Sequence, residues 1–391
     1  MTNQPANSST SFDAIVIGVG TMGSAACYYL AKRGYKVLGI EQFDITHEFG
    51  SHAGQSRIIR KAYFEHPDYV PLLQRAYENW KALEDETGEQ VYYQTGVAYF
   101  GKPEQEILKG VKLSASLHNI NVEKIDPLSS KKRFAPFHIP ESFETLFETE
   151  AGFITPEKAI KLYAGQAVKN GAAIHTHEKV IEWRKRGDII FVNTDKNAYS
   201  CSKLIITAGA WADNLVPGIS GKMQVTRQFV AWIKPKNWDD YVLNNFPCWL
   251  INDDERPGCY YGFPVLPKEN FGEPHGLKIA WHYPGSVTDA DKVNRQNTEE
   301  DLENIRYVLD KYLPGTFNGM VTTKTCLYAN MPDENFIIDK LPGFERHIII
   351  ACGFSGHGFK FAPVVGEVLA ELAITGSTKQ PIDFLNARRF V

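Results

Sequence analysis

Ala14-Ile15-Val16-Ile17-Gly18-Val19-Gly20-Thr21-Met22-Gly23-Ser24-Ala25-Ala26 is the stretch that decides the fold. Residues 14–17 are apolar and rich in β-branched side chains, the composition of a buried strand. The run Gly18 to Gly23 follows directly. Ser24 to Lys32 reads as a helix with a small-residue face, stopped at Gly34, and Lys36 to Ile40 as a second strand ending in Glu41. Strand, GxGxxG, helix, strand and an acid 18 residues past Gly23 make the dinucleotide-binding fingerprint in its full context. Gly18 permits a tight turn, Gly20 admits a pyrophosphate where a Cβ would intrude, and Gly23 lets the helix sit close on the strand. The first helical turn, at Thr21 and Met22, offers free N–H groups and a partial positive charge to the phosphates. Glu41 is placed to accept hydrogen bonds from ribose hydroxyls. The motif alone does not choose between NAD and FAD.

The rest of the composition bounds the function. At 391 residues the chain has room for about two domains. An apolar fraction of 43% and a charged fraction of 23% are those of a soluble globular protein. A formal net charge of −4 argues against a general nucleic-acid binder. No apolar run approaches membrane-spanning length. Met1 to Ser11 has neither a basic start nor an apolar core, so it reads as a frayed tail rather than a signal peptide. The six cysteines are scattered without a CxxC, which suits reduced thiols better than a disulfide framework. These features describe a cytoplasmic enzyme.

Along the chain, Ser56-Arg57-Ile58-Ile59-Arg60-Lys61 is read as a helix start. Arg57 and Arg60 would then lie one turn apart, two planar forks suited to a carboxylate or phosphate, with a solvated pair of charges as the alternative. Asp68 to Thr87 carries a core-facing apolar stripe. Gln90 to Gly101 reads as sheet, Glu104 to Asn119 as helix, and Thr155-Pro156-Glu157 opens another helix. Lys203 to Trp211 is a strand entering a glycine turn at Gly209. Gln224 to about Tyr283 reads as mostly antiparallel sheet, with a Tyr260-Tyr261-Gly262-Phe263-Pro264 cluster. Within it Lys278, Ala280 and His282 share one strand face. Lys278 and His282 stand about 13 Å apart, so they could line one cavity without touching the same atom. An exposed Lys and His on an edge face is the competing reading. Thr298 to Leu313 is read as an exposed helix.

His347 to Ala351 is a second buried strand, followed by Gly353-Phe354-Ser355-Gly356-His357-Gly358-Phe359-Lys360 and a helix opened by Ala362-Pro363-Val364. A second helix N-terminus aimed at a cofactor suits FAD, because it can stabilise negative charge on the N1/C2=O edge of a reduced flavin, which nicotinamide never develops.

Over almost the whole chain, Phe12 to Phe390, the sequence resembles the monomeric sarcosine oxidase and N-methyl-L-tryptophan oxidase family. The resemblance rests on the GxGxxG with Glu41, Gly50-Ser51-His52, Ser56 to Arg60, Tyr69-Val70-Pro71, Tyr260 to Pro264, Leu277-Lys278-Ile279 with His282, Cys326, Pro332-Asp333-Glu334 and Gly353 to Phe361. It implies an α/β, two-domain fold: a Rossmann-like FAD-binding domain of glutathione-reductase type (11–92, 152–218 and 326–391) and a mostly antiparallel-sheet substrate domain (93–151 and 219–325). It implies FAD attached covalently by an 8α-S-cysteinyl bond to Cys326. It implies cofactor contacts at Gly50, Ser51, Arg57, Val180, Gly209, Gly353, Gly356, Gly358, Phe359 and Lys360 besides the first glycine motif. Arg60 and Lys360 match the pair that holds the substrate carboxylate, Arg57 an arginine close to the flavin, and Lys278 the lysine that activates O2. His282 and Tyr261 complete the catalytic set.

The activity so implied is oxidation of a small secondary amino acid by O2 in a monomeric enzyme, with no nucleic acid, membrane or metal involved. Hydride passes to flavin N5, the imine hydrolyses to formaldehyde and an amino acid, and H2O2 leaves. A cyclic secondary amino acid of the proline or pipecolate type is the alternative substrate, and a flavin-binding protein without oxidase activity or an NAD(P)-linked dehydrogenase the alternatives of class. The chain departs from the best-known members at Ala53, where they have a second histidine, and at Gln55-Ser56, where they have an Asp–Thr pair. The segment Cys248 to Cys259 also differs and is expected to shape the pocket for the substrate side chain.

Overall fold

The computed structural model describes residues 10–282 and 285–390. Most of the expected tail therefore lies outside the described residues, as do Tyr283 and Val391. Thr10 and Ser11 are not tail: they open the first strand, paired in parallel with Tyr199 and Ser200. Chain contacts divide the molecule into two units, 1–53 with 157–225 and 328–391, and 54–156 with 226–327. Residues 54–92 thus group with the second unit, not the first as expected, and Cys326 falls at the end of the second. No described helix is long and apolar enough to cross a membrane.

The first unit is built on a parallel sheet. Thr10–Ile17 lies between Val37–Ile40 and Ala198–Ile206, both parallel to it. Ala173–His175 extends the sheet on one side and Ile348–Cys352 on the other, again parallel. Val180–Arg186 and Ile189–Thr194 add an antiparallel hairpin, and Ile337–Lys340 an antiparallel edge. The near-continuous apolar strands, such as Ile348–Cys352, are those of a sheet covered on both faces. The two helices that follow glycine loops, Thr21–Lys32 and Ala362–Thr375, pack on each other so closely that a Cβ at Gly366 would lie 2.5 Å from the Cβ of Ala25.

The second unit is a nine-stranded, mostly antiparallel sheet. Its order runs Ser286–Val287, Gln224–Pro235, Leu277–His282, Cys259–Phe263, Cys248–Ile251, Val97–Gly101, Glu144–Glu148, Val122–Ile125, with Phe317–Asn330 also paired to Gln224–Pro235. Leu277–His282 is therefore an interior strand, not the edge considered above. Period-two alternation sorts its side chains to two faces. One face, with Ala231, Ile233, Trp249, Tyr260, Leu277 and Ile279, is covered by Ile305, Val308, Leu309 and Tyr312 of the helix Glu299–Tyr312. That helix is amphipathic rather than exposed all round, and each such side chain contributes about 1.5–3 kcal/mol by burial. The other face carries Val230, Trp232, Lys278, Ala280, Tyr261, Phe263, Cys259 and Cys248.

Residues 57–59 are a strand, antiparallel to Gly152–Ile154, not the start of a helix. Left-handed backbone at Gly54 (φ +124°) and Gln55 (φ +67°) and pairing with 152–154 hold this segment extended. The strand ends at Ile59, so Arg57 and Arg60 do not share a helix face.

A Cβ at Gly23 would lie 1.8 Å from the Gly18 carbonyl oxygen, which cannot be met without moving backbone. We expect Gly23→Ala to lower unfolding stability by about 2 kcal/mol or more. Gly20→Ala, whose Cβ meets nothing within 4 Å, should unfold like the parent. Urea unfolding of the flavin-free proteins checks both, and an unchanged midpoint for Gly23→Ala would contradict the packing argument.

Candidate active site

In the first unit the glycine motif does three different things. Gly18 has φ +88°, and a Cβ there would lie 2.7 Å from the Thr207 carbonyl. The Thr207 hydroxyl donates to Gly18 O at 2.7 Å and so ties the turn to the neighbouring strand. Gly23 seats the helix on that turn. Gly20 is different: its Cβ position is open space. The helix Thr21–Lys32 has no side-chain cap at Gly20 and no acid in its first turn, so the helix itself supplies no carboxylate to the amide end at Thr21 and Met22. Glu41 is buried at the end of its strand. Its Oε2 accepts the Val19 N–H at 2.9 Å and its Oε1 the Phe43 N–H at 3.1 Å. Burial pushes its pKa up, opposed by the amides of Phe43, Val19 and Gln42. An open amide-lined turn beside a fixed acid fits the ADP end of FAD.

The other first-unit positions fall around this framework. Gly50 is buried, its Cβ position 3.2 Å from the His47 ring, and Ser51 is exposed. Val180 opens its strand opposite Thr194. Gly209, at φ +54°, opens the turn Gly209–Asn214 after the strand Ala198–Ile206. In the second glycine loop the glycines answer to packing. A Cβ at Gly353 would lie 2.3 Å from Met331, at Gly356 2.3 Å from the Tyr328 ring, and at Gly358 2.5 Å from Phe354. Ser355 closes the loop by accepting the Met331 N–H on its hydroxyl at 3.1 Å. Phe359 starts the short turn Phe359–Phe361 that leads into Ala362–Thr375, and Lys360 is buried with its Nζ donating to His357 O at 2.7 Å.

In the second unit several expected residues meet. Lys278 is 1% exposed. Its ammonium donates to Gly54 O (2.6 Å), Ser56 O (2.7 Å) and Ser56 Oγ (3.2 Å), and lies 4.4 Å from the Phe263 ring centre and 5.4 Å from that of Trp232. Three donors on three oxygens offset the cost of taking the charge out of water. Arg57 donates to the same Ser56 carbonyl at 2.9 Å, so the two cations converge on one oxygen. A Cβ at Gly54 would lie 3.2 Å from the Arg57 guanidinium and 3.6 Å from Lys278 Nζ. Cys326 is buried in this positive field. Burial pushes its thiol up, while Arg57, Lys278, Arg295 and Arg227 oppose that. His282 lies on the same strand face as Lys278, half-buried and opposite Cys259, and Tyr261 pairs with Ala280 between them.

Arg60 has partners of its own. It is 3% exposed, and its Nη2 donates to both Glu65 oxygens at 2.7 and 2.6 Å. Its guanidinium lies 4.1 Å from the Phe64 ring centre and 4.4 Å from that of Tyr63. Burial works against the charge, but Glu65, with Tyr99 and Tyr63, outweighs it and raises the Arg60 pKa. Glu148, fully buried, accepts the amides of Lys61 (2.6 Å) and Ala62 (3.3 Å) and the Tyr99 hydroxyl (2.8 Å), which anchors the segment after Arg60 to the sheet.

Glu65, Glu148, Trp232, Arg227 and Arg295 are residues of this region that sequence reasoning did not single out. Glu65 follows an arginine at a spacing with meaning in neither helix nor strand. Glu148 ends the strand Glu144–Glu148, which has an acid at each end, so its position carries no distinct signal. Gln55, noted above as a departure from the family, sits in the left-handed region, which costs an ordinary residue about 1–2 kcal/mol, and no local pattern signals that backbone.

A family model described as FAD dependent oxidoreductase matches residues 13–372. The chain is similar to the monomeric sarcosine oxidase of Bacillus sp. (strain B-0618), 38% identical over 97% of both chains. It is similar to the N-methyl-L-tryptophan oxidase of Salmonella dublin, 35% identical over 93% of this chain and 95% of the other. Among solved structures it superposes on NikD, described as an unusual amino acid oxidase essential for nikkomycin biosynthesis, with a TM-score of 0.84, 22% identity and coverage of 96% and 97%.

Glu41 gives a pH prediction. Its folded pKa is raised above its usual 4.5, so its contribution to stability is fully present below 4.5 and is lost as pH rises through the folded value. Relative to the parent, flavin-free Glu41→Gln should therefore gain stability between pH 4.5 and neutrality. A difference in unfolding midpoint that does not change with pH over that window would show that Glu41 is not perturbed.

Proposed function

We propose that this chain, which belongs to the monomeric sarcosine oxidase and N-methyl-L-tryptophan oxidase family of FAD-dependent oxidoreductases, oxidises the N-methyl group of an N-methylated amino acid with O2 as acceptor. The observation that carries the reading is the buried Lys278 ammonium on an aromatic sheet face beside Arg57 and Cys326. FAD, when bound, accepts a hydride from the substrate and passes two electrons to O2.

The protein's part is binding, orientation and charge. Arg60 and Lys360 hold the substrate carboxylate in this reading. Glu65 already engages Arg60 Nη2 through both its oxygens and Ala62 O engages Nη1, so a substrate carboxylate competes with Glu65 for the guanidinium. The substrate must present a neutral amine, whose lone pair becomes the imine bond, and a desolvated site with several cations disfavours the ammonium form. No strong base is required. The imine then hydrolyses to formaldehyde and the demethylated amino acid. The Lys278 cation stabilises negative charge as O2 takes electrons, and its fixed hydrogen bonds remove the need to reorganise at that moment. Cys326 is the attachment point: the surrounding cations favour the thiolate that a thioether bond needs, against the opposing effect of burial.

Anaerobic mixing with sarcosine, N-methyl-L-tryptophan and pipecolate tests the activity. Bleaching of the visible flavin band by an N-methyl amino acid, with formaldehyde formed, is the expected result. Bleaching by pipecolate alone would move the substrate class, and bleaching by none would remove the oxidase reading. In Lys278→Met we expect flavin reduction to persist and reoxidation by O2 to slow about a hundredfold. Unchanged reoxidation would take the oxygen role from Lys278. On acid precipitation the yellow colour should stay with the pellet, and in Cys326→Ala it should pass to the supernatant. Release from the parent protein would show that the flavin is not covalently held.

A further inference from the structure

We propose that Gln55 is a positioning residue that fixes the Lys278 ammonium. The inference rests on the reading of Lys278 as the cation that activates oxygen, and it concerns a residue at which this chain departs from the best-known family members.

The geometry is local and complete. The Ser56 N–H donates to Gly54 O at 2.7 Å, an i to i+2 bond, with Gln55 between them at φ +67°. That combination is the strained form of the γ-turn, rare for a residue with a side chain. The two carbonyls that flank the apex, Gly54 O and Ser56 O, both accept from Lys278 Nζ. The turn is therefore the seat of the ammonium, and the position of the charge depends on the turn staying closed. Glycine would hold this backbone more easily, yet residue 55 is a glutamine, and its side chain is used at both ends. Its Oε1 accepts the Trp232 indole N–H at 3.2 Å, and its Nε2 donates to Pro274 O at 3.1 Å. Trp232 is the register partner of Lys278 on the adjacent strand, with its ring 5.4 Å from the ammonium. The amide thus braces the seat against the strand beside Lys278, at Trp232, and against the segment just before Lys278's own strand, at Pro274. A strained backbone retained with a bridging side chain is what holding one charge in one place requires.

The test separates this role from ordinary stabilisation. Gln55→Gly removes the brace and relieves the backbone. We expect its melting temperature to be unchanged or raised and flavin reduction by the substrate to stay near the parent rate. Reoxidation by O2 should fall about tenfold, because a misplaced charge stabilises less. A readout independent of turnover is the Trp232 indole resonance in 15N-tryptophan-labelled protein, which should shift as its hydrogen bond is lost. Trp232→Phe should slow reoxidation in the same direction, and the double variant should be less than additive. Normal reoxidation in Gln55→Gly, alongside slow reoxidation in Lys278→Met, overturns the proposal and leaves the Lys278 reading standing. Normal reoxidation in both removes the Lys278 reading itself. A lowered melting temperature with both half-reactions slowed alike makes Gln55 structural only, and an unshifted indole resonance denies the brace.

Discussion

A lysine ammonium held at 1% exposure is the constraint around which the second unit is arranged. A buried charge is tolerated only when every donor is satisfied. The oxygens come from a three-residue turn with two left-handed positions, Gly54 and Gln55, and the faces of Phe263 and Trp232 supply the rest of the lining. Position 54 suits a glycine first by its backbone, at φ +124°, and a Cβ there would also crowd the Arg57 guanidinium at 3.2 Å. The strand that starts at Arg57 then carries the chain away toward Arg60, which meets its own carboxylate in Glu65. Two cations of one short segment are thus held by different chemistry: Arg57 by a backbone carbonyl shared with Lys278, and Arg60 by a carboxylate fork between aromatic rings.

Glycine is used in two opposite senses in the first unit. Gly20 leaves a space: among the described residues, nothing comes within 4 Å of where its Cβ would lie. Gly18, Gly23, Gly353, Gly356 and Gly358 remove a space, letting carbonyls, a thioether and rings come where a Cβ would be. A glycine-rich loop is therefore not in itself a ligand cradle. The second loop resembles the first in composition, but its glycines are accounted for by Met331, Tyr328 and Phe354, so any part it plays beside a cofactor falls to its amides and to the helix that follows.

Much of this was legible in the sequence where a local pattern and its physical cause coincide. The strand–turn–helix–strand at 14–41, the alternating Leu277–His282 and the Pro-opened helix at 362 are such cases. What was not legible depends on pairing at long range. Residues 57–59 were misread as helical because an apolar and basic hexapeptide has no decisive period, and pairing with Gly152–Ile154 decided it. Lys278 could not be placed inside or outside a sheet from six residues, because strand order is set by partners at 224–235 and 259–263. The acids Glu65 and Glu148 were missed for the same reason: each acts on a neighbour that only folding supplies. The roles drawn from family likeness for Cys326, Arg60 and Lys278 needed matching residues elsewhere in a relative, not periodicity in this chain.

The order in which the strands are joined bears on how the protein comes to exist in a cell. Ala198–Ile206 is flanked by Thr10–Ile17 on one side; on the other the hairpin strand Ile189–Thr194 covers residues 198–201, but Leu204, Ile205 and Ile206 stay bare until Ile348–Cys352, and so almost the entire chain, has left the ribosome. During that interval an apolar strand with unpaired amides is on offer to any other strand. The second unit is interrupted likewise, its sheet waiting for residues 226–327 after the first unit's middle segment has been made. Synthesis thus lays down both units in pieces, and the slow steps are sequence-distant closures that local propensity cannot hasten. Expression yield, and dependence on chaperones, are in this architecture properties of strand order as much as of final stability.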